Sequence, residues 1–406
     1  MLRLVTGRNR LLSGALSESV SVALQSGEDT LSVVVPKQLT LETEMALLDG
    51  LQLQGSFRLR VLSPERLCGL IFDAAGRPEG ARVDERGRAM LLSRAMKNLE
   101  SELSLYRGAQ GRRGFVARAA KQVEIFRQAG LTPEDVRGLA AAETGTLRRK
   151  LEDIAVILAA YEGEIAGRYE DGEGELRLAA QRAGDAGFLH GARLWFYGFD
   201  LMPPTLHGLI AAVSEFAETT VFLPLEGENA PDEELFRPLR ASARRLVRMA
   251  RERNARVVFE SVRDDQPRSE SLRLLSSGLF AYPAVSRGGT PAGVQLFEAR
   301  SVREEARFAA ALARRLARAR GWRYRDVRVL VPSLDAYRQP LREAFAACDV
   351  PAFMAESRPC ARHPLCECLL TALSMLARGA RDADLHVCLA SGCLPVPARD
   401  ADRLRN

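Results

Sequence analysis

The stretch LVTGRNRLLSGALSESV, at residues 4–20, decides the fold, because a short apolar strand ends in Thr6 and Gly7 and continues into a helical pattern. A phosphate-binding P-loop begins in this way, with the spacing G-x-x-x-x-G-K-[ST], whose lysine reaches the phosphates and whose hydroxyl holds Mg²⁺. Counted from Gly7, the second glycine position holds Leu12, the lysine position Ser13 and the hydroxyl position Gly14. The sequence therefore predicts the scaffold of a P-loop without its chemistry, and ATP hydrolysis is not expected here. The residues of this degenerate loop are Gly7, Arg8, Ser13 and Gly14.

Length and composition indicate a globular protein of more than one domain. The chain has 406 residues, of which 47% are hydrophobic, so two or three domains with buried cores are expected. No apolar run approaches the roughly 18 residues that a membrane span needs, and the N-terminus lacks the apolar core of a signal peptide. The seven cysteines are irregularly spaced, which is typical of reduced thiols. We therefore expect a soluble, cytoplasmic protein with no membrane partner.

The charge balance leaves the type of partner open. The chain has 58 basic and 52 acidic residues, and only four of the basic ones are lysine. A net charge of +6 is compatible with a nucleic-acid partner, whereas interleaved charges of both signs are typical of a solvated surface. The arginine-rich run at residues 314–320 has the same two readings, a phosphate contact or a solvated helix face, and the solvated face is favoured.

Strand and helix patterns alternate along the chain, with one purely helical interruption. Between residues 84 and 170 only helical patterns occur, so the sequence predicts an α/β domain, residues 1–83 and 171–285, with an inserted helical subdomain at residues 84–170. Short apolar runs that suit strands buried on both faces of a parallel sheet lie at residues 2–5, 30–35, 58–61, 193–199, 219–223 and 256–259.

A Gly/Pro-rich stretch at residues 282–293 is the clearest linker in the chain. Beyond it the sequence predicts the beginning of a second α/β domain, residues 286–406, with strands at 294–299 and 327–331 around a long helix. Two or three strands are too few for a complete doubly wound sheet, so this second domain is expected to be incomplete.

Several segments, in register over nearly the whole chain, resemble the B subunit of the bacterial AddAB (RexAB) helicase–nuclease. Two of them are VVVPKQLTLETEMALL and VLSPERLCGLIF, which match the family patterns "VP-x-Q-x-T-x-x-x-E" and "S-x-x-R-L". A third, RLWFYGFDLMPPTLHGLI, matches a strand and turn usually written "DGF…F-T-P". The resembling segments occupy residues 33–48, 61–72, 115–136, 193–210, 302–345 and 350–365.

The resemblance implies a superfamily 1 helicase-like α/β fold, of the P-loop NTPase type, that has lost its motor role. In this family an AddA-type subunit drives translocation, and the B subunit scans the unwound single strand during processing of double-strand breaks. The matching DNA-binding positions here are Gln38, Thr40, Arg66 and Phe199. Amide, hydroxyl and guanidinium groups can read base edges, and an aromatic ring can stack on a base.

Two plainer readings of these residues stay open. Gln38 and Thr40 could form an ordinary turn and helix cap, and Arg66 could pair with Glu65 or Glu42. A purely structural partner of the A subunit, without DNA binding, is therefore the first alternative function, and an active P-loop ATPase is the second.

The chain also departs from the family pattern. Tyr197 stands before Gly198 and Phe199 where the family has an aspartate, and Pro64 and Gly69 replace aromatic residues. The family continues into a PD-(D/E)xK nuclease domain framed by four iron–sulfur cysteines, which this sequence does not contain. We therefore expect no catalytic residue, metal or cofactor in this chain. The resemblance assigns ATP and Mg²⁺ to the motor, and the iron–sulfur cluster and a divalent metal to the nuclease domain.

Other candidate sites are weaker. Cys360, His363, Cys366 and Cys368 lie close together, but Cys366 and Cys368 point about 200° apart if they share a helix and cannot face one zinc ion. Core or surface thiols are the favoured reading. A hydrolase is disfavoured, because none of the four histidines accompanies a nucleophile motif.

Overall fold

The computed structural model describes residues 1–405 except positions 28–29, 78–79, 110–111, 226–233, 263–268, 285, 287, 290–291, 355–359 and 361–362. The chain divides into two units, Met1–Val294 and Gln295–Asn406. Each unit has its own packed helices.

The first unit alternates strands and helices on either side of a helical insertion. Its strands are β1 (Leu2–Thr6), β2 (Leu31–Val34), β3 (Leu59–Leu62), β4 (Ala81–Arg82), β5 (Tyr169–Glu170), β6 (Arg193–Phe196), β7 (Glu218–Leu223) and β8 (Val257–Ser261). Its helices are α1 (Asn9–Gln25), α2 (Thr40–Gly50), α3 (Pro64–Ala75), α4 (Glu85–Lys97), α5 (Arg113–Gln128), α6 (Pro133–Ala141), α7 (Gly145–Ile165), α8 (Gly172–Arg182), α9 (Pro204–Phe216), α10 (Arg237–Glu252) and α11 (Glu270–Gly278).

Six of these strands form one parallel sheet in the order β3-β2-β6-β7-β1-β8. All four residues of β2 are buried, as expected for a strand covered on both faces. Since every strand runs in the same direction, the loops that follow the strands gather at one edge of the sheet. That edge is where ligands bind in open α/β sheets.

Alternating side chains of the strands enter two separate cores. Val33 and Trp195 pack with α1 on one face, where Trp195 Nε1 donates to Ser19 Oγ at 2.9 Å. Val34 and Phe196 pack on the other face, in the core that α3, α8, α9 and α10 cover. This period of two fixes the register of the sheet, because a slip by one residue would exchange the two faces.

Helices α4–α7 form a subdomain with a hydrophobic core of their own, which includes Leu92, Val123, Leu158 and Tyr161. The short strands β4 and β5 pair in parallel at its base, where the chain enters and leaves. The four helices lie within the insertion predicted at residues 84–170. The exact bounds of the domains remain predictions.

The second unit consists, in its described part, of helices: α12 (Val302–Arg320), α13 (Leu334–Ala347), α14 (Pro364–Arg378), α15 (Asp382–Ala390) and α16 (Ala398–Arg405). Alanines of α12, including Ala306 and Ala310, pack against Leu341 and Phe345 of α13. The strands predicted at 294–299 and 327–331 are absent from this described part, and Leu296 and Leu330 are exposed. Apolar residues become a strand only beside a partner that accepts their backbone hydrogen bonds, and these two segments do not pair.

Among the described helices of both units, none combines the length and the apolar character needed to cross a bilayer.

Candidate functional site

Three of the loops singled out by their sequence lie side by side at the carboxyl edge of the sheet. They follow β3, β2 and β6, which are consecutive in the sheet order. Segments far apart in sequence, at residues 63–66, 35–40 and 197–199, are thereby brought to one surface. We call this surface the three-loop edge.

The loop after β2 is a tight turn. Val35 N donates to Leu62 O at 2.9 Å, which ties the start of the loop to β3. A 3₁₀ turn, Lys37–Leu39, follows, and Thr40 Oγ1 donates to Lys37 O at 3.0 Å. The Thr40 hydroxyl therefore closes the turn. Lys37 and Gln38 are exposed, and their side chains make no hydrogen bond or ion pair with any described residue.

The loop after β3 is short because Ser63 caps α3 directly. Ser63 is buried and its Oγ accepts from Arg66 N at 3.4 Å, while Pro64 occupies the first helical position, where its missing N–H costs nothing. The Arg66 side chain is exposed, and within the described part of the chain it pairs with neither Glu65 nor Glu42. The charged guanidinium of Arg66 therefore lies on the exposed side of the first turn of α3, and Ser63 caps the start of this helix.

Phe199 lies in a different environment from the other candidate residues. Its side chain is only 8% exposed and belongs to the core, with its ring centroid 6.4 Å from that of Phe196. A ring packed on the core offers no free face to a base. The exposed polar groups of the three-loop edge are therefore those of Lys37, Gln38, Glu65 and Arg66, and Glu65 is the one anionic group among them.

The degenerate loop after β1 is closed by its neighbours. A Cβ on Gly7 would lie 3.1 Å from Val262 O, and Val262 N donates to Thr6 O at 2.7 Å. Arg8 precedes α1 in an extended conformation without a side-chain cap, and its guanidinium carbon lies 5.9 Å from the centre of the Phe236 ring. Gly14 lies inside α1 with open space beside it.

Ser13 and Tyr197 stand where the sequence motifs predict that a working nucleotide site has a lysine and a carboxylate. The Tyr197 hydroxyl is hydrogen-bonded to Ser13, and its ring meets Phe222 edge-on with the ring centroids 6.1 Å apart. Burial, with a smaller contribution from the charge of Glu42, raises the pKa of Tyr197, so the phenol is neutral. This pair holds no charge to offset a triphosphate or to ligate Mg²⁺.

Sequence reasoning missed two parts of this geometry. Lys37 lies within its motif but is not among the predicted DNA-binding residues, although a basic residue beside Gln38 in an exposed turn was the available signal. The bond between Ser13 and Tyr197 joins residues 184 positions apart. Only the order of the strands brings them together.

The cysteine-rich segment gives no metal centre within the described residues, where no three His, Cys, Asp or Glu side chains converge. Cys360 is exposed, whereas Cys368 is buried. The buried Cys388 Sγ donates to Cys368 O at 3.8 Å, so these two thiols pack α14 against α15.

Comparison with known proteins adds a family relationship. Residues 7–276 match the family model described as "ADDB, N-terminal". A protein of Desulforudis audaxviator, named as the B subunit of an ATP-dependent helicase/deoxyribonuclease, is 32% identical over 99% of this chain and 35% of its own length. Proteins with the same name from Desulfitobacterium hafniense and Moorella thermoacetica are 31% and 30% identical, over 93% and 100% of this chain and 32% and 37% of their own lengths. The chain thus spans about a third of the length of these relatives.

Proposed function

This chain belongs to the AddB N-terminal family, and from that membership we propose that it is the N-terminal part of the B subunit of a helicase–deoxyribonuclease. In this proposal it is a scaffold without motor activity that binds single-stranded DNA beside an AddA-type motor subunit. The complex would act on DNA ends in double-strand-break repair and recombination, in the bacterial cytoplasm.

The observation that carries the proposal is the three-loop edge. Lys37, Gln38 and Arg66 are exposed at the ends of adjacent strands, and none has a partner among the described residues. Two cations suit the phosphates of a single strand, and an amide suits a base edge. The β2 turn and the capped start of α3 hold these groups on short, hydrogen-bonded backbone, which limits the ordering cost of binding.

The Ser13–Tyr197 pair supports a scaffold in preference to a motor. A neutral phenol and a hydroxyl replace the groups that would bind nucleotide and metal. We therefore assign ATP and Mg²⁺ to the partner motor, and an iron–sulfur cluster and a divalent metal to the nuclease domain of a complete subunit. If the purified chain bound ATP with Mg²⁺, the alternative of an active P-loop ATPase would replace this one.

The test measures, by fluorescence anisotropy, the binding of a fluorescein-labelled single-stranded oligonucleotide to the full chain. We expect binding at about 50 mM salt that weakens steeply by about 200 mM. The double variant Lys37→Ala/Arg66→Ala should lose most of it. Arg60→Ala, an exposed arginine within β3, serves as the matched control. Equal affinity for the double variant and the wild type would remove the three-loop edge from the proposal.

The structural-partner alternative is favoured by two observations. Phe199 is buried and Thr40 uses its hydroxyl within its own turn, so only part of the predicted DNA-binding set is exposed. If the chain binds its AddA-type partner and yet no oligonucleotide at low salt, this alternative replaces the DNA-binding proposal.

A further inference from the structure

A second surface of the first unit, remote in sequence from the three-loop edge, is an open cavity of about 870 Å³ between α10 and the strands β1, β7 and β8. Its floor is mainly aliphatic and includes Leu4, Leu223 and Val247. Phe259 of β8 also lines it, with 62% of its surface exposed. An apolar cavity of this size is large enough to receive several side chains of a ligand.

The rim of this cavity is strongly basic. Arg240, Arg244, Arg248 and Arg251 lie along one face of α10, and the only acidic residue among the lining residues is Glu252. Like charges one turn apart destabilise a helix. Within the described residues Arg244 and Arg251 make no ion pair, and the contact between Arg248 and Glu252 is long, at 3.8 Å. These three arginines thus carry positive charge that their described surroundings balance only weakly.

The position of β8 adds to the accessibility of this surface. Among the described strands β8 is the last of the sheet, with a neighbour on one side only. The exposed Phe259 lies on this outer strand and lines the cavity. Within the described part of the chain, no strand separates the apolar floor from the open side of the sheet.

We propose that this cavity binds an acidic peptide segment of a partner protein, with large apolar side chains on the floor and carboxylates against the α10 arginines. Charge complementarity selects the acidic residues, because a row of guanidiniums pairs favourably with carboxylates. The aliphatic floor selects a peptide over single-stranded DNA, since bases stack on flat aromatic faces and Phe259 is the only aromatic among the lining residues.

The test uses the full chain and a short fluorescein-labelled peptide that alternates aspartate with leucine and phenylalanine. A matched peptide has lysine in place of aspartate. The variants are Arg244→Glu/Arg248→Glu, the milder Arg244→Gln/Arg248→Gln, and the control Arg245→Glu, an exposed neighbour that does not line the cavity. Circular dichroism confirms that each variant keeps its helices.

We expect the acidic peptide to bind, the lysine peptide not to bind, and charge reversal on the rim to weaken binding by about tenfold or more. The glutamine pair should show a smaller loss, and Arg245→Glu should bind like the wild type. Absent binding, or equal binding by all variants, overturns the proposal. Displacement of the peptide by a single-stranded oligonucleotide also overturns it, in favour of a nucleic-acid site. Because no residue of the three-loop edge lines this cavity, Lys37→Ala/Arg66→Ala should still bind the peptide.

Discussion

Gly198 packs against Leu39: a Cβ on Gly198 would lie 2.9 Å from Leu39 Cδ1 and 3.7 Å from Pro36 Cδ. Gly198 also has a φ of +77°, which L side chains rarely adopt. The loop after β6 therefore lies directly on the turn that carries Gln38. Two motifs that are about 160 residues apart in sequence support one another through this contact.

Replacing Gly198 by alanine should destabilise the first unit by about 2–4 kcal/mol. The positive φ accounts for about 1–2 kcal/mol and the collision with Leu39 for the remainder. Gly191→Ala is the matched control, because Gly191 has a φ of +80° and open space around it. Urea denaturation of both variants separates the two effects. Equal losses of unfolding free energy in the two variants would show that the Leu39 side chain moves aside at no cost in free energy.

Arg127→Met should cost about 3–5 kcal/mol of unfolding free energy, because it leaves a buried carboxylate unpaired. Arg127 Nη2 donates to Asp171 Oδ1 at 3.0 Å, and the two side chains are 8% and 1% exposed. Burial alone would raise the pKa of Asp171, but the charge and hydrogen bond of Arg127 hold it below its usual range. The pair joins α5 of the helical subdomain to the start of α8.

The control for this pair is Arg94→Met in the same subdomain. Arg94 pairs with Glu164, but its side chain is about half exposed. An exposed pair contributes little to stability because water screens it, so the control should unfold almost like the wild type. If urea denaturation gave the same small loss for Arg127→Met, the buried pair would not be what holds α5 to α8.

His207 makes the stability of the first unit depend on pH. Its side chain is buried on α9, with Nε2 and Ser242 Oγ 2.6 Å apart, and burial together with the charge of Arg245 lowers its pKa to about 4. The unfolded chain takes up this proton near pH 6.5, whereas the folded chain does not. Stability contributed by neutral His207 is therefore complete above about pH 6.5 and is lost as the pH falls towards 4.

We expect this loss to be on the order of 2 kcal/mol. Urea midpoints of the wild type and of His207→Gln, measured at several pH values across this window, provide the test. Glutamine does not titrate, so the stability difference between the two proteins should shrink as the pH falls. Curves that stay parallel would exclude His207 as the source.

The sequence was informative wherever a local pattern determines the structure. Apolar β-branched runs located β2 and β7, because strands buried on both faces contain little else. The capping box of Thr132 and Asp135 is likewise a local pattern that starts a helix. The strand predicted at residues 193–199 ends at Phe196, since Gly198 turns the chain out of the sheet.

The candidate site was less predictable because it depends on contacts between distant segments. A phenylalanine inside a motif could equally stack on a base or fill the core, and only the packing shows that Phe199 is in the core. The same holds for the Ser13–Tyr197 hydrogen bond and for the apolar floor beneath the α10 arginines. Each of these depends on strand order, which no local pattern encodes.

The salt dependence of oligonucleotide binding should distinguish the roles of the three exposed residues. For single strands each phosphate contact contributes about −0.7 to the slope of log K against log salt concentration. Arg66→Ala and Lys37→Ala should each make the slope shallower by about this amount, because each removes one cation. Gln38→Ala should weaken binding by about 1 kcal/mol through a lost hydrogen bond and leave the slope unchanged, because an amide releases no counterion. Arg60→Ala should change neither quantity. If Gln38→Ala changed the slope and Arg66→Ala did not, the DNA strand would run elsewhere on the sheet edge.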